Sequence, residues 1–215
     1  MSSRKRTVLC LLLHAAVILG ECLGTALSIV EYRRSLFSFY TCDSNFLLLA
    51  ASAAAAVCCV RRLRSGRPLP RRLLLFRYCA TCAASLTFLT VLLILAPLAG
   101  PGAFPRLLLK GSLKYMHLLC PVLGLLAFLF TEDHSHLRLR HTLYAMIPTV
   151  LYAAVIVTLN LTRTVRGPYP FLLVYEQPVW ASLLWAALIL GTAWLIALAL
   201  VLAKRGRRDP PPPPV

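Results

Sequence analysis

Apolar residues gather into six long runs, over residues 7–30, 40–60, 78–98, 113–131, 142–161 and 179–203. A helix needs about 20 mostly apolar residues to cross the hydrocarbon core of a bilayer, and each run approaches or exceeds that length. In lipid a backbone must satisfy its own hydrogen bonds, so the runs are expected to be α-helices. None shows the strict alternation of a transmembrane β-barrel strand. The expected fold class is all-α: a polytopic integral membrane protein built as a six-transmembrane-helix bundle. Residues 1–208 form its single domain, and residues 209–215, with their run of prolines, form a disordered tail. The alanine-rich stretch 50–56 should let a neighbouring helix approach closely, because small side chains bring backbones together.

Composition sharpens this picture. Hydrophobic residues make up 59% of the chain and charged residues only 14%, with a mean hydropathy of +0.76. A soluble domain carries about 25% charge, so a cytosolic globular enzyme is excluded, and so is a disordered chain. A net charge of +16 would ordinarily suggest nucleic acid. Here the basic residues lie between the apolar runs and read as topology signals instead, so no nucleic acid partner is expected. One set of flanks, centred on Arg61, Arg62, Arg64, Arg67, Arg71, Arg72 and Arg77, carries 16 basic residues; the opposite set carries 7. That bias places both termini in the cytoplasm of a multi-pass plasma-membrane protein, as an even number of spans requires. The basic loop 61–72 should rest against anionic headgroups. The first run has a competing reading as a cleaved signal peptide, with small residues near 24–26; its removal would leave five spans and opposed termini.

Other motifs carry little. The eight cysteines fall almost wholly inside the runs, and Cys79 and Cys82 form a lone C-x-x-C without a second pair to complete a zinc site. They read as small packing residues, and no metal or cofactor is expected. Asn160-Leu161-Thr162 matches the glycosylation pattern only by chance, at a membrane edge.

Function must therefore come from polar groups that a membrane makes expensive. Four places qualify. Thr41, Ser44 and Asn45 share one face where the second run begins, although Thr, Asp, Ser and Asn at such a position also serve as helix caps. His117 precedes Pro121, and a proline removes the hydrogen bond to the carbonyl four residues back, so a bend is expected just below the imidazole. Arg163, Arg166 and Tyr169 lie in the loop before the last run, among Gly167, Pro168 and Pro170; the arginines could hold a carboxylate or phosphate, or simply face headgroups. His14 and Glu21 lie seven residues apart on one face of the first run. They suggest a proton relay, but two groups do not make a pathway.

Phe39-Tyr40-Thr41-Cys42-Asp43-Ser44-Asn45, His117 with Pro121, Pro148 with Tyr152, and residues 167–171 together resemble the six-helix bacterial Pr6Pr membrane proteins. That group is distantly similar to the androgen-induced protein family of animals, the FAR-type threonine hydrolases that cleave fatty acid esters of hydroxy fatty acids. The resemblance implies Thr41 as nucleophile and His117 as base. Ala127 departs from it, standing where the bacterial relatives would carry an acidic residue; Glu132 and Asp133 come later.

The chemistry is consistent, since a threonine hydroxyl needs a nearby base to take its proton. The topology puts Thr41 and His117 at the same depth, with Asn45 as a candidate donor to a developing oxyanion. Ser44, Arg163, Arg166 and Tyr169 are the further candidate substrate-binding residues. Tyr115 or Asp43 could orient His117. Two function classes stay open: a lipid-ester hydrolase acting on a fatty-acid ester, and a non-catalytic membrane component binding lipid or a partner protein through the same pocket. A transporter is weaker, for want of inverted repeats.

Overall fold

The computed structural model describes residues 2–205, so the tail expected at 209–215 lies outside the described residues. The long helices are α1 (Ser3–Tyr32), α2 (Tyr40–Ser65), α3 (Arg71–Leu98), α6 (His141–Leu161) and α7 (Val179–Arg205). Between α3 and α6 stand a short α4 (Ala103–Leu109) and α5 (Lys114–Phe130), bent against each other by 86°. Five helices are thus long and apolar enough to cross a membrane, or six if the bent pair counts as one span. The run expected at 113–131 is present as α5, which is only about 25 Å long at 1.5 Å per residue. There is no strand among the described residues.

The bundle is assembled around α3, the most buried of the spans, which packs against α2, α5, α6 and α7. On the other side α1 lies against α2 and α5. Apolar side chains face outward as well as inward: Leu12, Leu19, Leu183 and Leu184 are all more than 60% exposed. Water would penalise an apolar exterior of that extent, whereas hydrocarbon would not.

Small residues set the closest approaches. Ala51, Ser52 and Ala55 are fully buried, while Ala53 and Ala54 point outward, so the expected close contact uses one face of the 50–56 stretch. A second approach was not anticipated. Gly20 and Gly24 of α1 lie under α5, where a Cβ on Gly24 would sit 2.9 Å from Tyr115 Cβ and one on Gly20 would sit 2.7 Å from Cys120 Sγ. α1 is part of the core, with Val17 and Glu21 wholly inaccessible.

Two helices widen locally into π-helix, α3 at Val91–Leu95 and α5 at Lys114–Leu119. The expected bend at Pro121 is replaced by the second of these. Pro121 stands in the first turn of the α-helical segment that follows, where the loss of its N–H is absorbed by the wider turn. The sharp break in the chain lies upstream, around Gly111 at φ 53°.

The end of the bundle holding the α2–α3 and α5–α6 connections is tied by a buried ionic network. Arg77 donates to Glu132 Oε1 from Nε at 3.0 Å and Nη2 at 2.9 Å, and also to Ser52 and the Gly124 carbonyl. His134 Nε2 donates to Glu132 Oε2 at 2.8 Å. His14 Nε2 lies 3.3 Å from Oε1 without hydrogen-bonding alignment. Arg6 and Lys204 donate to the carbonyl of Glu132. Burial alone would raise the Glu132 carboxyl, but Arg77, His134 and His14 outweigh it and hold it well below the usual carboxylate range. For His134 burial wins over Glu132, with Lys204 and Arg77 adding to it, and the imidazole is held neutral.

Candidate functional site

Thr41 lies in the first turn of α2, but it is no cap. The residue flanking the helix is Phe39, and no side-chain capping bond is made there. The Thr41 hydroxyl instead lies 3.3 Å from His117 Nε2 and 3.4 Å from the Tyr169 hydroxyl. His117 is carried by the wide turn of α5. Its Nδ1 lies 2.8 Å from the Leu107 carbonyl of α4. A carbonyl can only accept, so Nδ1 carries the proton and Nε2 presents its lone pair toward Thr41. The bent α4–α5 pair thus acts as a clamp: α5 supplies the imidazole and α4 supplies the group that fixes its tautomer. Tyr115 and Asp43 do not fill that role, since Tyr115 packs over Gly24 and Asp43 is exposed.

Tyr169 arrives from the loop between α6 and α7. Its hydroxyl accepts from the Thr41 N–H at 3.3 Å. Its ring stacks on Phe171 and meets Phe39 edge-on. Burial pushes the Tyr169 hydroxyl up to about 12, despite the hydrogen bonds to Thr41, so it keeps its proton at neutral pH.

The other expected residues divide. Ser44 is buried below Thr41, bonding the Thr41 carbonyl at 3.0 Å and the Thr87 hydroxyl at 2.7 Å. Asn45 spends both amide hydrogens on backbone, donating to the carbonyls of Thr41 at 2.6 Å and Met116 at 2.9 Å. That bond ties the helix of Thr41 to the helix of His117, and it leaves no donor for an oxyanion. Ser44 and Asn45 are braces. The structure does not bring Arg163 and Arg166 to Thr41. Arg163 lies over the Tyr175 ring and Arg166 pairs with Glu176 at 2.8 Å, both beside a separate cavity. His14 joins the Glu132 network at the far end, and Glu21 is wholly buried with neither carboxyl oxygen hydrogen-bonded. Asn160 is buried too, its amide bonded to the Val165 carbonyl.

Thr41 stands where two apolar cavities meet. One, about 240 Å³, runs between α2, α3, α6 and α7 past Tyr40, Leu86, Tyr152 and Trp185. The other, about 320 Å³, lies under α4 and α5 and is walled by Phe39, Leu98, Leu107 and His117. Thr41, Leu95 and Tyr169 line both. Such space accepts aliphatic chains, and where the two cavities meet Thr41, His117 and Tyr169 bring their polar atoms together.

Thr41, His117 and Tyr169 are legible in the sequence, but the Leu107 carbonyl is not, because a backbone acceptor leaves no signature in residue type. Arg77 reads in the sequence as one more topology signal, whereas its side chain is fully buried. No protein-family model, curated protein or solved structure matches the chain.

Proposed function

We propose that this chain is an integral membrane protein with both termini cytoplasmic, and that it hydrolyses lipid esters with Thr41 as nucleophile and His117 as general base. The observation that carries the reading is the Thr41–His117 contact of 3.3 Å, with the imidazole tautomer fixed by Leu107 at the meeting point of two apolar cavities. The outward-facing leucines support the membrane reading. The likeness to the Pr6Pr and androgen-induced groups points the same way.

An ester bond joining two aliphatic arms would seat its carbonyl at Thr41 with one arm in each cavity, as an ester of a hydroxy fatty acid requires. His117 Nε2 takes the Thr41 proton as Oγ1 bonds to the carbonyl carbon. The positive end of α2 favours the developing alkoxide, and Tyr169 donates to the carbonyl oxygen as it becomes an oxyanion. The carbon–oxygen bond to the alcohol arm then breaks, and the proton on His117 passes to that leaving oxygen. Water, deprotonated by His117, cleaves the acyl-threonine to release the acid and restore the hydroxyl.

The test uses purified protein in detergent, a fluorophosphonate probe and a fluorogenic long-chain ester. Wild type should label and turn over, and Thr41→Ser should keep part of that activity. Thr41→Ala and His117→Ala should each abolish turnover while melting like wild type. The double variant should be no worse than either single one, because the two groups act as a unit. A protein that neither labels nor cleaves, yet retains long-chain lipid in its cavities, would be a lipid-binding component instead.

A further inference from the structure

The strongest unassigned feature lies at the basic end of the bundle, away from Thr41. A cavity of about 410 Å³ opens there between the start of α3 and the start of α6. Its walls carry Arg71, Arg72, Arg138, Arg140, His136 and His141, and among the described residues no carboxylate lines it. All four arginines are exposed. The carboxylate that acts on the group is Asp133, felt by His136, and it lines a different cavity.

The arrangement is electrostatically unfavourable as it stands. Arg71 and Arg72 open α3 and Arg140 flanks the start of α6, and a helix N-terminus is itself positive. Six basic side chains from two stretches distant in sequence therefore surround one space at two positive helix ends. An anion is the group that resolves this. Guanidinium forks bind phosphate oxygens in pairs, which suits a phosphomonoester better than a single-charged diester. The histidines fit as well. His141 Nδ1 accepts from the Arg138 N–H at 3.0 Å, which leaves Nε2 as its proton-bearing nitrogen.

We propose that this cavity binds a polyphosphorylated anion, supplied by the headgroup of a phosphorylated lipid. The lipid source follows from position: the cavity lies where the apolar helices α3 and α6 begin, at the depth at which headgroups would meet them. The inference is independent of the chemistry at Thr41.

The experiment measures binding of a short-chain phosphatidylinositol bisphosphate to the detergent-purified full chain. Water-soluble inositol trisphosphate and inorganic phosphate serve as the non-lipid arms. Wild type should bind the lipid most tightly. The pair Arg138→Gln with Arg140→Gln, and separately Arg71→Gln with Arg72→Gln, should weaken it by about tenfold or more. The pair Arg61→Gln with Arg64→Gln removes the same charge from the same end without touching the cavity, and should weaken binding less than about threefold. Thermal melting checks that each variant is folded, and two independent pairs guard against one failing. Equal loss in all three pairs would reduce the effect to diffuse surface attraction and overturn the proposal. So would no lipid binding. Equal affinity for the soluble headgroup would overturn the lipid assignment.

Discussion

Tyr169 contributes a single oxygen to the site, and that oxygen is already committed on one side, where it accepts from the Thr41 N–H. With the Thr41 proton directed at His117, the Tyr169 proton points at Thr41 Oγ1 across 3.4 Å at rest, and in the proposed reaction it turns to the carbonyl oxygen gaining charge. Tyr169→Phe should therefore lower kcat by about 10²-fold with KM little changed, the usual consequence of removing one oxyanion donor; steady-state hydrolysis of the long-chain ester measures it. A KM effect alone would make Tyr169 a wall of the cavities. At the other end of the molecule, His134 is buried neutral. Its folded value lies below the ordinary 6.5, so the unfolded chain takes up the proton first as pH falls. Stability should decline from pH 7.5 to pH 5.5, by up to about 1.4 kcal/mol per pH unit for one proton. His136, lowered by burial and by Arg71, adds in the same direction. Glu132 is held so far below 4.5 that its contribution persists across this window. Melting temperature against pH checks the slope, and His134→Gln, which can keep a donor toward Glu132, should flatten it.

At the scale of elements, the decisive contact is the crossing of α1 and α5 at Gly20 and Gly24. Gly24→Leu has no space, because the atom nearest its Cβ is the Cβ of Tyr115 rather than the mobile end of a side chain. Overpacking of this kind costs about 1–3 kcal/mol. Since Tyr115 lies two residues before His117, the shift should also impair the site. The expected outcome is a lowered melting temperature together with a loss of turnover larger than the loss of folded protein. Gly191 has open space around it, so Gly191→Ala should leave turnover unchanged and should not lower the melting temperature. The helices themselves were legible in the sequence, because an apolar run of bilayer length has few alternatives. The path of α4 was not: seven residues with two exposed apolar side chains and no periodicity give no sign of doubling back against α5. That fold-back is what delivers the Leu107 carbonyl, so the orientation of His117 stayed hidden with it.

For the molecule as a whole, sidedness decides what each end can meet. If the arginine-rich end faces the cytoplasm, an impermeant thiol reagent applied to intact cells should label Arg106→Cys and miss Ser65→Cys until the cells are opened. The reverse pattern would invert the molecule and place the Thr41 site on the inner side. Charge bias along the chain made this expectation readable, because flanking arginines act through simple counting. It could not separate Arg77 from its neighbours. A buried arginine and a headgroup-facing one look alike until Glu132, distant in sequence, is found across from the first.

The wide turn of α5 has a further consequence. A π-turn holds one residue more than the α-helix on either side of it. The half of α5 that packs through Gly124 against Leu48 and the half that presents His117 are therefore out of phase by about 100°, one residue's rotation. Packing and chemistry are set separately on the same rod. Loss of a single residue of Lys114–Leu119 other than His117 would restore even winding and put the imidazole and the Gly124 contact about a quarter-turn out of register, with both Thr41 and His117 still present. The alignment of Thr41 and His117 is thus encoded in a residue count, as a frame rather than a letter.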